Sequence, residues 1–236
     1  MITEKRFASS HHGFWRELLP MSEHYIRSTN LSLGRVYPPL AGSSATSLHG
    51  VINELAFRLF SRAKRDGVEV RRLDHAVIAQ EQAEALRFIS TFRQHGRNPI
   101  RAPGPDDVTE AITLALRTED FFQGAVEGPL IVSPNFPGCG WLSECNGDAL
   151  ADGVLYEIKS GERLFRALDL KQILVYCALN YAAKEHQIDE ICLVNPREGV
   201  HFSDSLNSLC KAVAGQTAVE VLGEIVEYVS ASSDAY

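Results

Sequence analysis

The segment Cys145-Asn-Gly-Asp-Ala-Leu-Ala-Asp-Gly-Val-Leu-Tyr-Glu-Ile-Lys159 constrains this chain more than any other. Asp152-Gly153 tolerate the positive φ that a two-residue type I′ turn requires. Val154 to Ile158 are β-branched, aromatic or apolar, the composition of a strand. The segment is therefore a β-hairpin, and its turn dictates the register. Residues 151 and 154 flank the turn, so Asp148 lies directly opposite Glu157, with Cβ atoms about 5 Å apart on one face. Lys159, two residues on, points the same way.

Like charges directly opposite each other destabilise a sheet, and burial raises the cost. A divalent cation between the carboxylates converts the repulsion into coordination. Mg²⁺ is commonly held by one or two carboxylates together with water and substrate phosphate. Lys159 would then face the phosphate or the attacking water. The pattern predicts metal-dependent phosphodiester hydrolysis, with Asp148 and Glu157 holding Mg²⁺ or Mn²⁺, the main-chain carbonyl of Ile158 assisting, and Lys159 acting on the reacting groups. The competing reading is a surface salt-bridge cluster, worth about 0–1 kcal/mol a pair.

Gly147-Asp148, Glu157-Ile158-Lys159 and, downstream, Gln172-Ile-Leu-Val-Tyr176 together resemble the PD-(D/E)xK nuclease superfamily, and its RecB-like exonuclease branch in particular. The last piece is similar to the Gln-x-x-x-Tyr motif of that branch. The resemblance covers residues 145–180. It implies a restriction-endonuclease-like αβββαβ core, a mixed sheet flanked by helices, and DNA as substrate. It also implies that His49, near the start of the first core helix, adds a metal ligand, against the plainer reading of an exposed or capping histidine. Glu54 follows it as in the family. Gln172 and Tyr176, four apart, share one helix face and would contact the nucleotide, against the plainer reading of a core-edge tyrosine beside a surface glutamine.

The chain has 236 residues, enough for one sizeable domain. No apolar run approaches a membrane span, and the first residues lack the apolar stretch of a secretory signal, so no membrane association is expected. Five cysteines without a C-x-x-C pair fit free thiols in a reducing cytoplasm. The thiols are too scattered for the iron–sulfur cluster of some RecB-like relatives. The net charge of −7 is not that of a general nucleic-acid binder. Residues 58–101, however, hold ten Lys/Arg against five acids, a local balance of +5 that leaves the rest at −12. That stretch reads either as a phosphate-tracking region or as solvated helix faces.

Residues 1–40 read as an extension packed on the core or used for a partner, with a short helix over Phe14–Leu19 and extended chain before Pro38. Residues 41–236 read as the nuclease domain. Ala41–Ser47 would be a linker and N-cap region, followed by a helix from about Leu48 to Ala63 with Val51, Ile52, Leu55, Leu59 and Phe60 at helical spacing. Residues 66–122 would form a helical insertion for substrate shaping or protein contact. It comprises a short strand at Val68–Val70, a helix from Leu73 to His95 ended at Gly96, a loop from Asn98, and a helix opened by a capping box at Asp107–Glu110. Strands are expected at 130–132, 141–150, 154–159, 188–195 and 199–202, with Glu144 on the Asp148 face. Helices are expected at 165–184 and within 203–232.

These readings make the chain an α/β metal-dependent deoxyribonuclease of a recombination, repair or phage-defence complex. No Gly-x-x-x-x-Gly-Lys-Ser/Thr loop is present, so a separate helicase or ATPase partner would supply any motor. The alternative is a non-catalytic subunit of the same fold that binds DNA or a partner protein.

Overall fold

The structure is a computed structural model that describes residues 1–42, 48–92 and 100–231. The residues expected to cap the first core helix (43–47), the helix end at His95-Gly96 and the start of the following loop at Asn98 lie outside these. Three short helices, α1 (Glu4–Ser10), α2 (His12–Leu18) and α3 (Ser22–Ser32), open the chain. α4 (His49–Asp66), α5 (His75–Phe92) and α6 (Pro105–Ala125) follow. Five short or medium strands come next: β1 (Ile131–Val132), β2 (Asn135–Phe136), β3 (Cys145–Asn146), β4 (Ala149–Ala151) and β5 (Val154–Ile158). The chain continues through α7 (Ala167–Ala183), β6 (Glu190–Asn195), β7 (Val200–Ser205), α8 (Leu206–Ala214) and α9 (Ala218–Ala231).

A five-stranded mixed sheet runs β1-β4-β5-β6-β7. β5 and β6 are parallel, joined through α7, and the other neighbours are antiparallel. Side chains alternate across this sheet, as strand geometry requires. Leu150, Leu155, Ile191 and Leu193 face a core shared with α1, α2, α3, α7, α8 and α9. Ala149, Ala151, Tyr156, Cys192 and Val194 face a second core built with α4, α5 and α6. The protein is thus α/β with helices on both faces. Along the chain, α5 and α6 lie between α4 and the sheet, the sheet strands follow in the order β1, β4, β5, β6 and β7, and α7 stands between β5 and β6.

α4 buries Val51, Ile52, Leu55, Leu59, Phe60 and Ala63, and Phe60 stacks on Phe122 of α6 at 5.3 Å. It ends at Gly67, whose left-handed φ of 66° suits glycine. Three local expectations are corrected. α6 starts at Pro105, a turn before the expected capping box. Asp107 is its third residue, accepting from the Gly104 N–H at 2.7 Å, because proline favours the first helical position. Val70–Arg72 is a 3₁₀ turn rather than part of a strand, anchored by the Val70 N–H on Glu119. The long strand expected over 141–150 is broken. β1–β4 and β2–β3 pair in one continuous register, but Ser133 takes φ 56° and Pro134 lacks an N–H, so the ladder bends there. Bonds from Ser133 N to Asp148 O (2.9 Å) and Gly147 N to Pro134 O (3.0 Å) cross the bend.

The N-terminal extension packs on the core. Phe7, Trp15, Leu18, Leu19 and Ile26 are buried in it, and the Ile2 N–H bonds Trp141 O at 3.0 Å. Among the described residues no helix is long and apolar enough to cross a membrane.

Candidate active site

Asp152 and Gly153 take φ of 51° and 77°, the left-handed pair of a type I′ turn. Asp152 is held there by accepting the Glu127 and Gly128 N–H groups. The resulting register pairs Ala149 with Tyr156 and Ala151 with Val154, so the next position brings Asp148 opposite Glu157. Asp148 sits at the ladder's bend, next to Gly147, where a Cβ would lie 3.0 Å from the Phe136 ring.

Glu157 is 3% exposed. Its Oε1 accepts from Lys159 Nζ at 2.5 Å, whereas its Oε2 is buried with no hydrogen-bond partner among the described residues. Asp148 Oδ2 accepts the Ile158 N–H at 2.6 Å. Burial and the nearby Glu157 charge push the Asp148 carboxyl above the usual carboxylate range. Burial works against the Lys159 ammonium, but Glu157 and Asp148 outweigh it and hold its pKa above the ordinary lysine value. Backbone pairing carries on past β5, since Lys159 N donates to Val194 O at 2.7 Å, so Lys159 is fixed at its root as well as at its tip.

Gln172 and Tyr176 join this group, but from within the core. Lys159 Nζ donates to Gln172 Oε1 at 2.7 Å, and Gln172 Nε2 donates to Tyr176 OH at 2.8 Å. Both residues are buried, and Tyr176 stacks on Phe136. Burial, with Glu157 and Asp148 adding to it, raises the phenol's pKa, so it stays protonated. The pair expected to contact a nucleotide thus lies in the core, linked to the cleft through Lys159.

A cleft of about 290 Å³ opens over the carboxylates. Its walls include Lys5 of α1, Asn53, Glu54 and Phe57 of α4, and Asp148, Glu157, Lys159 and Arg163. The α4 face turned to the cleft starts at Gly50, and His49 is not part of the lining. Its Nε2 lies 3.6 Å from Glu162 Oε1 instead. Glu54 does line the cleft and pairs with Arg58 at 2.7 Å. Glu144 is exposed and outside it.

The loop after β5 is held by residues the sequence reading left aside. Asn195 Nδ2 donates to Gly161 O and Arg163 O, at 3.0 and 2.9 Å. Arg197, fully buried, donates to Ser160 O at 2.8 Å and pairs with Glu110 of α6 at 2.6 Å. Arg163 clasps Asp169 through two bonds of 2.7 and 2.9 Å. The signal for these was the turn-forming Asn-Pro-Arg at the end of a buried strand. Lys5 carried no local signal at all. In the basic stretch 58–101, each of the eight described cations lies within 4.0 Å of an acid, though Arg65, Arg71, Arg72, Arg87 and Arg101 remain exposed.

The donors turned to the cleft are oxygens, which suit a hard cation such as Mg²⁺ or Mn²⁺. Among the described residues no cluster of three or more His, Cys, Asp or Glu side chains is placed to hold an ion. The cleft therefore offers two carboxylates, Asp148 and Glu157, and Mg²⁺ is commonly held by one or two carboxylates when water and phosphate complete the set. The unpartnered Glu157 oxygen fits that role, because a buried carboxylate oxygen left without a donor is costly. The cysteines are free, and burial raises the thiols of Cys145, Cys192 and Cys210 to about 12, which makes them inert. In comparisons with known proteins, no family model matches the chain and no match to a curated protein was found.

Proposed function

We propose that this protein is a metal-dependent nuclease that hydrolyses DNA phosphodiester bonds, built on a restriction-endonuclease-like αβββαβ core. The observation that carries the reading is the pair of opposed carboxylates, one with a buried, donor-free oxygen, beside a lysine locked at 2.5–2.7 Å between Glu157 and Gln172. Asp148, Glu157 and the Ile158 carbonyl would hold the ion. When bound, Mg²⁺ or Mn²⁺ supplies charge neutralisation and Lewis acidity. Lys159, kept charged by its neighbours, offers a hydrogen bond to the attacking water or to the charge that develops on the phosphoryl oxygens. Gln172 and Tyr176 hold that ammonium in place, so little reorganisation is needed during reaction. A recombination, repair or phage-defence setting, with a helicase or ATPase partner, follows from the resemblance alone.

The test incubates linear and circular DNA with the protein in Mn²⁺ or in EDTA. Cutting is expected in Mn²⁺ only, and Lys159→Ala and Glu157→Ala should reduce it about 10²–10³-fold or more while the protein stays folded. Undiminished cutting in either variant overturns the assignment. Calorimetric titration with Mn²⁺ separates it from a non-catalytic subunit of the same fold, which would bind no ion.

A further inference from the structure

We infer that the groove between α1, α3 and the start of α7 carries the phosphodiester backbone of the DNA substrate leading away from the cutting site. This rests on the nuclease reading for the identity of the strand, but not for the existence of the groove.

The groove encloses about 580 Å³, and Arg27 of α3, Arg166 and Lys171 of the α7 start, and His12 of α2 line it, with Glu23 as its one acid. It adjoins the cleft over the carboxylates along two elements. On α1, Lys5 lines the cleft while Ala8 and Ser9 line the groove. One helical turn, about 5.4 Å, separates them. On the loop before α7, Arg163 lines the cleft, and Phe165 and Arg166 line the groove. A single strand carries a charge about every 3.4 Å, so the step from cleft to groove spans one to two phosphates.

Charge selects the occupant. The chain is net negative, and the described cations of its basic stretch all face acids. Lys5, Arg27, Arg166 and Lys171 make no ion pair with any described residue. Four cations outside any ion pair, in two neighbouring depressions that both draw on α1 and the loop before α7, one of them over the candidate site, match a polyanion that runs past both. Lys171 sits one position before Gln172 on α7, so the helix that steadies Lys159 from its buried face presents a cation to the groove from its open side.

The test compares the full-length wild type with R27A/R166A/K171A and, as control, R71A/R72A. Fluorescence anisotropy of a labelled single-stranded DNA oligonucleotide in EDTA is read across a salt series, and cutting of the same strand in Mn²⁺ is read separately. The triple variant should bind at least tenfold more weakly, and the slope of log K against log[salt] should fall by about 2, the loss of three phosphate contacts. Its KM should rise with kcat nearly unchanged, and the control should match the wild type. Equal melting temperatures show that the fold is intact. An unchanged slope in the triple variant, an equal loss in the control, or no binding by the wild type overturns the groove. If the wild type cuts and the triple variant cuts with the same KM, the groove fails and the nuclease reading stands. If the wild type binds with the expected difference yet never cuts, the groove stands and the nuclease reading fails.

Discussion

At the scale of single residues, one carboxyl in the cleft is made reluctant to ionise by the fold. Asp148 is pushed up to about 8, by burial first and by Glu157 second. The unfolded chain loses this proton near the ordinary value of 3.8, so between these pH values the native state binds more protons. Stability from this group is then complete below about pH 4 and lost as pH rises through about 8. In EDTA, Asp148→Asn should therefore be more stable than the wild type. The gap should widen from pH 5 to pH 8.5, at roughly 2–4 °C of melting temperature per kcal/mol. Mn²⁺ should close the gap by stabilising only the wild type. Thermal melts over that pH range check this, and a gap that does not change with pH would refute it. The opposition of Asp148 and Glu157 was legible because a two-residue turn fixes register by counting. Lys5 was not, because a residue on a separate N-terminal helix reaches the cleft only through tertiary packing. His49 shows the converse. Its place near a helix start was readable, but which side of α4 it turns to is decided by packing against the sheet.

The elements around the site show where local pattern suffices and where it fails. α4 and α7 were readable from apolar periodicity, and the second strand of the hairpin from its β-branched residues. The broken ladder before Asp148 was not, since it arises from a positive φ at Ser133, a residue type that gives no warning of it. That bend makes Gly147 the critical position of the hairpin. A methyl group there meets Phe136 at 3.0 Å and Leu155 at 3.3 Å, contacts that must shift. Gly147→Ala should cost about 1–3 kcal/mol by overpacking and weaken Mn²⁺ binding by displacing the adjacent Asp148. Denaturant melts and calorimetry report the two effects, and a variant with wild-type values in both would show that the bend is not what aims the carboxylate. The placing of Gln172 and Tyr176 was half legible: their shared helix face was evident, but not its burial against Lys159 and Phe136.

Across the whole molecule, two cores lie on opposite faces of one sheet, and the buried Arg197–Glu110 pair ties the α4–α6 layer to the loop that follows β5. Glu110 read as part of a capping box and Arg197 as a turn residue after Pro196; that they pair in the core was not legible, because burial of a charge shows only once its counter-ion has been placed. Arg197→Met should cost about 3–5 kcal/mol, since it leaves Glu110 buried against an apolar side chain. Arg197→Met with Glu110→Met should recover part of that loss. Urea unfolding of the two variants checks the ordering, and a single variant within 0.5 kcal/mol of wild type, the usual range for surface changes, would remove the tie. The position of Lys5 has a consequence for biosynthesis. At roughly 5–20 residues per second, α1 leaves the ribosome several seconds before the hairpin is made. A nascent chain therefore displays this cation well before the two carboxylates that share its cleft have been made.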